Sequence, residues 1–175
     1  MVRPSMRWFA FAWGVVGVLA LLGQAVFRLA PLAWSALSGE LSTLQWVGVV
    51  VWVAVMAHAE GYRGFHRRFS PRVVARALWL REHPEPHLVV LAPLFCMSLF
   101  HATQRGKLTA RLLVAGILTL ITVVRMLPQP WRGLVDAGVV VGLAIGMTSL
   151  LGYALRAVLG TPPSIAPDLP EPPAT

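Results

Sequence analysis

Charge is what this sequence has least of. Asp, Glu, Lys and Arg together make 13% of its 175 residues, about half the share of an ordinary soluble domain. Against 57% hydrophobic residues and a mean hydropathy of +0.68, so little polar surface cannot cover a water-soluble globule, and a soluble domain is excluded. Cysteine is almost absent. Cys96 is alone and sits inside an apolar run, so no intramolecular disulfide exists and core packing is its expected role. Lysine is equally scarce, since Lys107 stands alone among 15 cations and every other one is an arginine. That bias, with abundant Ala, Val, Gly and Pro, suggests a GC-rich bacterial genome.

Catalytic signatures are missing as well. There is no GxSxG, no Walker A pattern and no HExxH, Ser98 and Ser149 have no base nearby in sequence, and no loop is long enough for a nucleotide-binding domain. No internal repeat is visible, which counts against an inverted-repeat transporter. The net charge of +8 belongs to arginines that flank apolar runs, a topogenic pattern, so nucleic acid is not an expected partner.

What is present is a series of apolar runs. The first covers about residues 8–27, broken only by Gln24, behind Arg3 and Arg7. Its length suits one bilayer crossing. Gly23 and Ala25 would also allow a signal-peptide reading, but the run is long for a signal core and more follow, so an uncleaved span is expected. The second, 44–62, reaches bilayer length only by including His58, Glu60 and Tyr62. An arginine-rich stretch comes next, with Arg63, Arg67, Arg68, Arg72, Arg76 and Arg81, and it marks the cytoplasmic side. Within it Ser70-Pro71 signals a helix start and Pro84 and Pro86 a stop, predicting an interfacial helix over 71–82 with Val73, Ala77 and Leu80 opposite Arg72, Arg76 and Trp79.

The third run, 88–103, is short and contains Pro93. The fourth is 108–127, the turn LPQPWRG follows, and the fifth is 134–156. Residues 161–175 are proline-dense and read as a disordered tail with polyproline character. With the N-terminus inside, five crossings leave ten cations inside and five outside, whereas four crossings with a third run that dips and returns leave twelve and three. Charge favours the second count. The need to shield a re-entrant backbone from lipid favours the first. Both topologies stay open on sequence alone.

The segments EGYRGF, FSPRVVARA and LPQPWRGLVDAG resemble those of a family of small uncharacterised bacterial integral membrane proteins, over about residues 45–145. The resemblance implies a helical membrane protein and no activity.

Among residues that can carry chemistry, all five histidines lie between 58 and 101: His58, His66, His83, His87 and His101. Clustering raises a metal or haem site built from His58, Glu60, His66 and His101. Spacing weighs against it, because residues i and i+2 point to opposite sides of a helix, and Pro84 and Pro86 break the His83–His87 pair. Interfacial histidines are the plainer reading, and no cofactor is expected. For Glu60, an ion pair with Arg63 or Arg67 is the simple expectation. Asp136, four residues after Arg132 and near Arg125 across the turn, is expected to close an intramembrane ion pair. Gly138, Gly142 and Gly146 make a GxxxGxxxG face that admits a close helix neighbour, expected to be the fourth span or else a second copy. Arg63, Arg67, Arg68, Arg72 and Arg76 form a surface for anionic lipid headgroups or an acidic partner.

The expected fold is an all-α polytopic membrane bundle of four to five transmembrane helices plus a short interfacial helix, in the bacterial inner membrane with the N-terminus cytoplasmic. The expected role is a structural or accessory subunit, alone as a homo-oligomer or with a partner membrane protein. A metal- or haem-binding membrane enzyme and a small oligomeric permeation unit using Asp136 are the alternatives.

Overall fold

The computed structural model describes residues 4–170. They form seven α-helices: α1 (Pro4–Leu37), α2 (Thr43–Met56), α3 (Ser70–Glu82), α4 (Pro86–Val90), α5 (Ala92–Cys96), α6 (Gln104–Arg125) and α7 (Trp131–Val158). A π-helical stretch, Ala57–Phe69, joins α2 to α3 without a break. Among the described residues there is no strand. Four continuous helical stretches are long and apolar enough to cross a membrane: Met6–Leu37, Thr43–Glu82, Gln104–Arg125 and Trp131–Val158.

Three of these make the core. Along α1, buried residues recur as Ala10, Phe11, then Gly14, Val15, then Gly17, Val18, the spacing that gathers side chains on one helical face. That face meets Val73, Val74, Ala77 and Leu80 of α3, and Leu150, Ala154 and Ala157 of α7. At the same end the Arg7 Nε donates to the Arg81 carbonyl at 3.1 Å, and the Arg81 guanidinium lies 4.5 Å over the Trp8 ring. At the opposite end Ala36, Val49 and Leu134 form a second apolar cluster. Thus α1 runs antiparallel to both the α2–α3 rod and α7.

Local chemistry sets the helix limits. Ser42 and Gln45 close a reciprocal capping box at the start of α2, with the Gln45 amide donating to Ser42 Oγ at 3.3 Å and the Ser42 amide to Gln45 Oε1 at 2.9 Å. Ser70-Pro71 does not start a separate helix. The Ser70 amide donates five residues back, to the Phe65 carbonyl, and a proline ring that would press on the carbonyl four residues back in a regular α-helix follows directly on these wider turns. Consequently 71–82 is not a detached interfacial helix. It continues the rod and buries Val73, Val74, Ala77 and Leu80.

The third apolar run forms no spanning helix. Pro86 and Pro93 each open a helix of five residues, α4 and α5, and the pair lies against α1. Trp13 Nε1 donates to the Val90 carbonyl at 3.4 Å. Pro93 rests where a Cβ on Gly17 would collide with it, and Cys96 Sγ would lie 2.9 Å from a Cβ on Gly14. The segment therefore reaches Gly17, turns back to Gly14, and ends on the side where it began. Cys96 is buried there, in the core role its sequence context suggests.

The tail is likewise corrected. Residues 161–170 fold back over the bundle, where Pro167 and Asp168 reach Arg76 and Leu169 packs on the core. The remainder of the expected disordered tail, 171–175, lies outside the described residues. The α6–α7 turn contains a cis Gln129–Pro130 peptide. α6 itself stands apart from the bundle: only Gly106 and Val124 are buried among its 22 residues.

Candidate functional site

The glycine face of α7 is filled from within the chain, by the α2–α3 rod and not by α6. A Cβ on Gly138 would run into the Trp52 ring, whose Nε1 donates to the Val135 carbonyl at 3.1 Å. A Cβ on Gly142 would lie 3.4 Å from the Cβ of Glu60, and one on Gly146 2.6 Å from the Phe65 ring. Gly61 returns the favour, since a Cβ there would come within 2.9 Å of Ile145. Trp52, Met56, Glu60 and Phe65 thus follow the four-residue rhythm of the glycines, with the one five-residue step falling inside the π turns.

The π stretch carries an aromatic column that runs from its exposed side to α7. His58 and Tyr62 rings lie 6.0 Å apart, Tyr62 stacks on His66 at 5.6 Å, and His66 continues to Tyr153 of α7 at 5.5 Å. His66 Nδ1 shares a 2.8 Å hydrogen bond with Ser149 Oγ, so Ser149, which has no base near it along the sequence, has an imidazole beside it in the fold. Among the described residues Glu60 makes no ion pair with Arg63 or Arg67, because wider turns carry i+3 off the face it would share in an α-helix. His101 sits elsewhere, at the end of the returning segment and beside Trp79 and Phe95. The structure therefore does not bring His58, Glu60, His66 and His101 to one point, and no three His, Cys, Asp or Glu side chains gather as a metal set among the described residues.

Asp136 is buried, and its partner is Arg132, with Arg132 Nε 3.9 Å from Asp136 Oδ2. Neither atom has a hydrogen bond, so the pair is held by charge across a gap. Arg125 is exposed and takes no part in it.

The most elaborate polar site is one the arginine pattern concealed. Arg76 is wholly buried and spends five hydrogen bonds on five backbone carbonyls. Nε donates to Phe95 at 2.7 Å, one terminal nitrogen to Pro167 and Asp168 at 2.9 and 3.0 Å, and the other to Phe100 and His101 at 3.1 and 2.9 Å. A guanidinium has five N–H donors in a fixed plane, and its carbon lies 4.2 Å over the Phe95 ring. Burial of an ion costs several kcal/mol, offset here by charge-assisted bonds of about 1.5–3 kcal/mol each. Arg76 therefore leaves the set of surface arginines. Arg63, Arg67 and Arg68 stay exposed and Arg72 half-buried. The expectation that Arg76 stands opposite Val73, Ala77 and Leu80 is overturned: at about 100° per residue it falls about 60° from Val73 and about 40° from Leu80, at the edge of the apolar face, and it is buried with them.

From this node the restraint passes to α6. Thr103, which caps α6 through the Gly106 amide at 3.1 Å, donates its hydroxyl to Asp168 Oδ1 at 2.8 Å. Gly106 leaves room for that carboxylate, since a Cβ there would strike Asp168 Oδ2. Asp168 itself adopts a left-handed backbone, φ +51°, which aspartate tolerates better than most residues. One arginine thus ties α3, the returning segment, the tail and the first turn of α6 together.

No protein-family model, curated protein or solved structure matches this chain.

Proposed function

We propose that this chain is a multi-pass protein of the bacterial inner membrane, with its N-terminus and arginine-rich end cytoplasmic, acting as a structural or accessory subunit that offers α6 to a neighbouring membrane protein or a second copy of itself. The observation that carries this reading is α6. It is long and apolar enough to cross a membrane, exposes Leu108, Leu112, Leu113, Ile117, Leu118 and Ile121, and is anchored chiefly through its first turn. A helix held at its start and bare along its length is suited to packing against something outside the chain. Arg7 and Arg81, which meet at the end of the bundle where α1 begins, support the orientation, while the exposed Arg63, Arg67 and Arg68 lie near the middle of the Thr43–Glu82 rod.

Photo-crosslinking in native membranes tests this. A photoreactive residue at Leu112 or Leu118 is expected to give a discrete protein adduct, while one at Val16 on the exposed face of α1 gives lipid adducts. Lipid adducts alone at all three positions would contradict the accessory-subunit reading.

A further inference from the structure

Between α6 and the body of the protein lies a cavity of about 60 Å³, bounded by α3, the end of α5 and the second and third turns of α6. Ser98 lines it. This residue is 2% exposed, its backbone is left-handed at φ +62°, and its hydroxyl has no partner. A buried hydroxyl without a hydrogen bond is unfavourable, and a bound group that completes it removes the cost. Arg72 lines the same cavity, and among the described residues no acidic side chain lies within ion-pair distance of it. The other walls are largely apolar, with Phe69 and Val73 on one side and Leu113 and Val114 on the other; the hydroxyl of Thr109, which also lines the cavity, already donates to the Arg105 carbonyl at 2.8 Å. Further cations stand on the helices that form these walls: Arg68 one turn before Arg72, and Arg105 and Arg111 on α6, all exposed.

A half-buried arginine, an unsatisfied hydroxyl, apolar walls and a surrounding positive charge match one chemistry. We propose that this crevice seats a single anionic phospholipid, with its phosphate on Arg72, its glycerol-ester region against Ser98, and its acyl chains leaving along Leu113 and the bare face of α6. Arginine presents paired donors to a phosphate, and the flanking cations favour a lipid of net negative charge over a zwitterionic one. The cavity has room for only a few heavy atoms, so it holds the junction of headgroup and chains while the chains lie outside. This site rests on the membrane reading above, and it gives the gap beside α6 an occupant.

Native mass spectrometry of the full-length protein in mild detergent, with equal amounts of phosphatidylglycerol and phosphatidylcholine, tests the proposal. The wild type is expected to retain one phosphatidylglycerol in preference. Arg72→Gln and the cavity-filling Leu113→Trp are each expected to lower that retention about tenfold, the scale of one charge-assisted contact, while Arg28→Gln on α1 leaves it unchanged. Circular dichroism checks that each variant folds, and if Arg72→Gln does not, Leu113→Trp decides the outcome. Equal retention of both lipids by the wild type, or undiminished retention by a folded Leu113→Trp, would overturn the site. Alkaline carbonate extraction of the source membranes separates the two claims: release into the soluble fraction overturns the membrane reading itself, whereas firm membrane association without lipid preference overturns the crevice alone.

Discussion

α6 and α7 are both long apolar helices joined by a short turn, yet α7 buries ten of its residues and α6 two. Hydrophobicity does not separate them. Shape does: Gly138, Gly142 and Gly146 cut a channel into α7 that takes Trp52, Glu60 and Phe65, whereas nothing lies within 4 Å of the Cβ position on Gly116 of α6. In a bilayer, where lipid is as apolar as leucine, close packing of small residues gives helices a reason to associate. What restrains α6 is polar and local, a capped first turn fastened to Asp168 and through the tail to Arg76.

Loss of that polar fastening is expected to have the largest effect. Arg76→Met leaves five carbonyls without their donor, and a loss of about 3–5 kcal/mol is expected from removing one side of such a buried charged network, read as a lower midpoint of thermal unfolding in detergent. Arg76→Lys is expected to recover little, because three donors on a point charge cannot serve five carbonyls. A smaller effect is expected on the α7 channel. Gly146→Leu drives a side chain into the Phe65 ring and costs about 1–3 kcal/mol, while Gly116→Leu on α6 changes stability by less than about 0.5 kcal/mol; equal losses in the two melts would erase the distinction between the helices. Asp168→Ala removes a hydrogen bond worth about 0.5–1.5 kcal/mol. Its signature is local, with faster amide exchange in the first turn of α6 and unchanged exchange in α7. Least affected is Leu112→Ala, expected within about 0.5 kcal/mol in the purified protein, since this side chain is 62% exposed. A larger drop would mean that α6 packs more tightly than its exposure indicates.

The contrast also explains what was legible in the sequence. The apolar runs announced an all-helical chain, and the glycine register announced a close-packed face on α7, because both depend on spacing along one helix. Its partner was not legible: α6 was the neighbour in sequence, but Trp52, Met56 and Phe65 had the matching rhythm, and the π turns that bring Glu60 and Phe65 into step leave no simple periodicity. Arg76 was hidden because six arginines in one stretch look alike, although its angle to Val73 and Leu80 set it apart. The fold of 161–170 was hidden for a related reason. A proline-rich segment has no apolar pattern to follow, and what captures it is a distant guanidinium that binds backbone carbonyls regardless of side chain. Pro93 did foretell a short third run, and the glycines that seat it, Gly14 and Gly17, lay unremarked in the first.

The α2–α3 rod and α7 are joined face to face within one chain, and α6 lies outside that pair. Oxidative crosslinking of Glu60→Cys with Gly142→Cys, in a Cys96→Ser background and in intact membranes, tests it most directly. A Cβ on Gly142 lies 3.4 Å from that of Glu60, close to the separation a disulfide spans. The prediction is a rapid intramolecular crosslink in the monomer. A crosslink found only between two copies, or none, would contradict it.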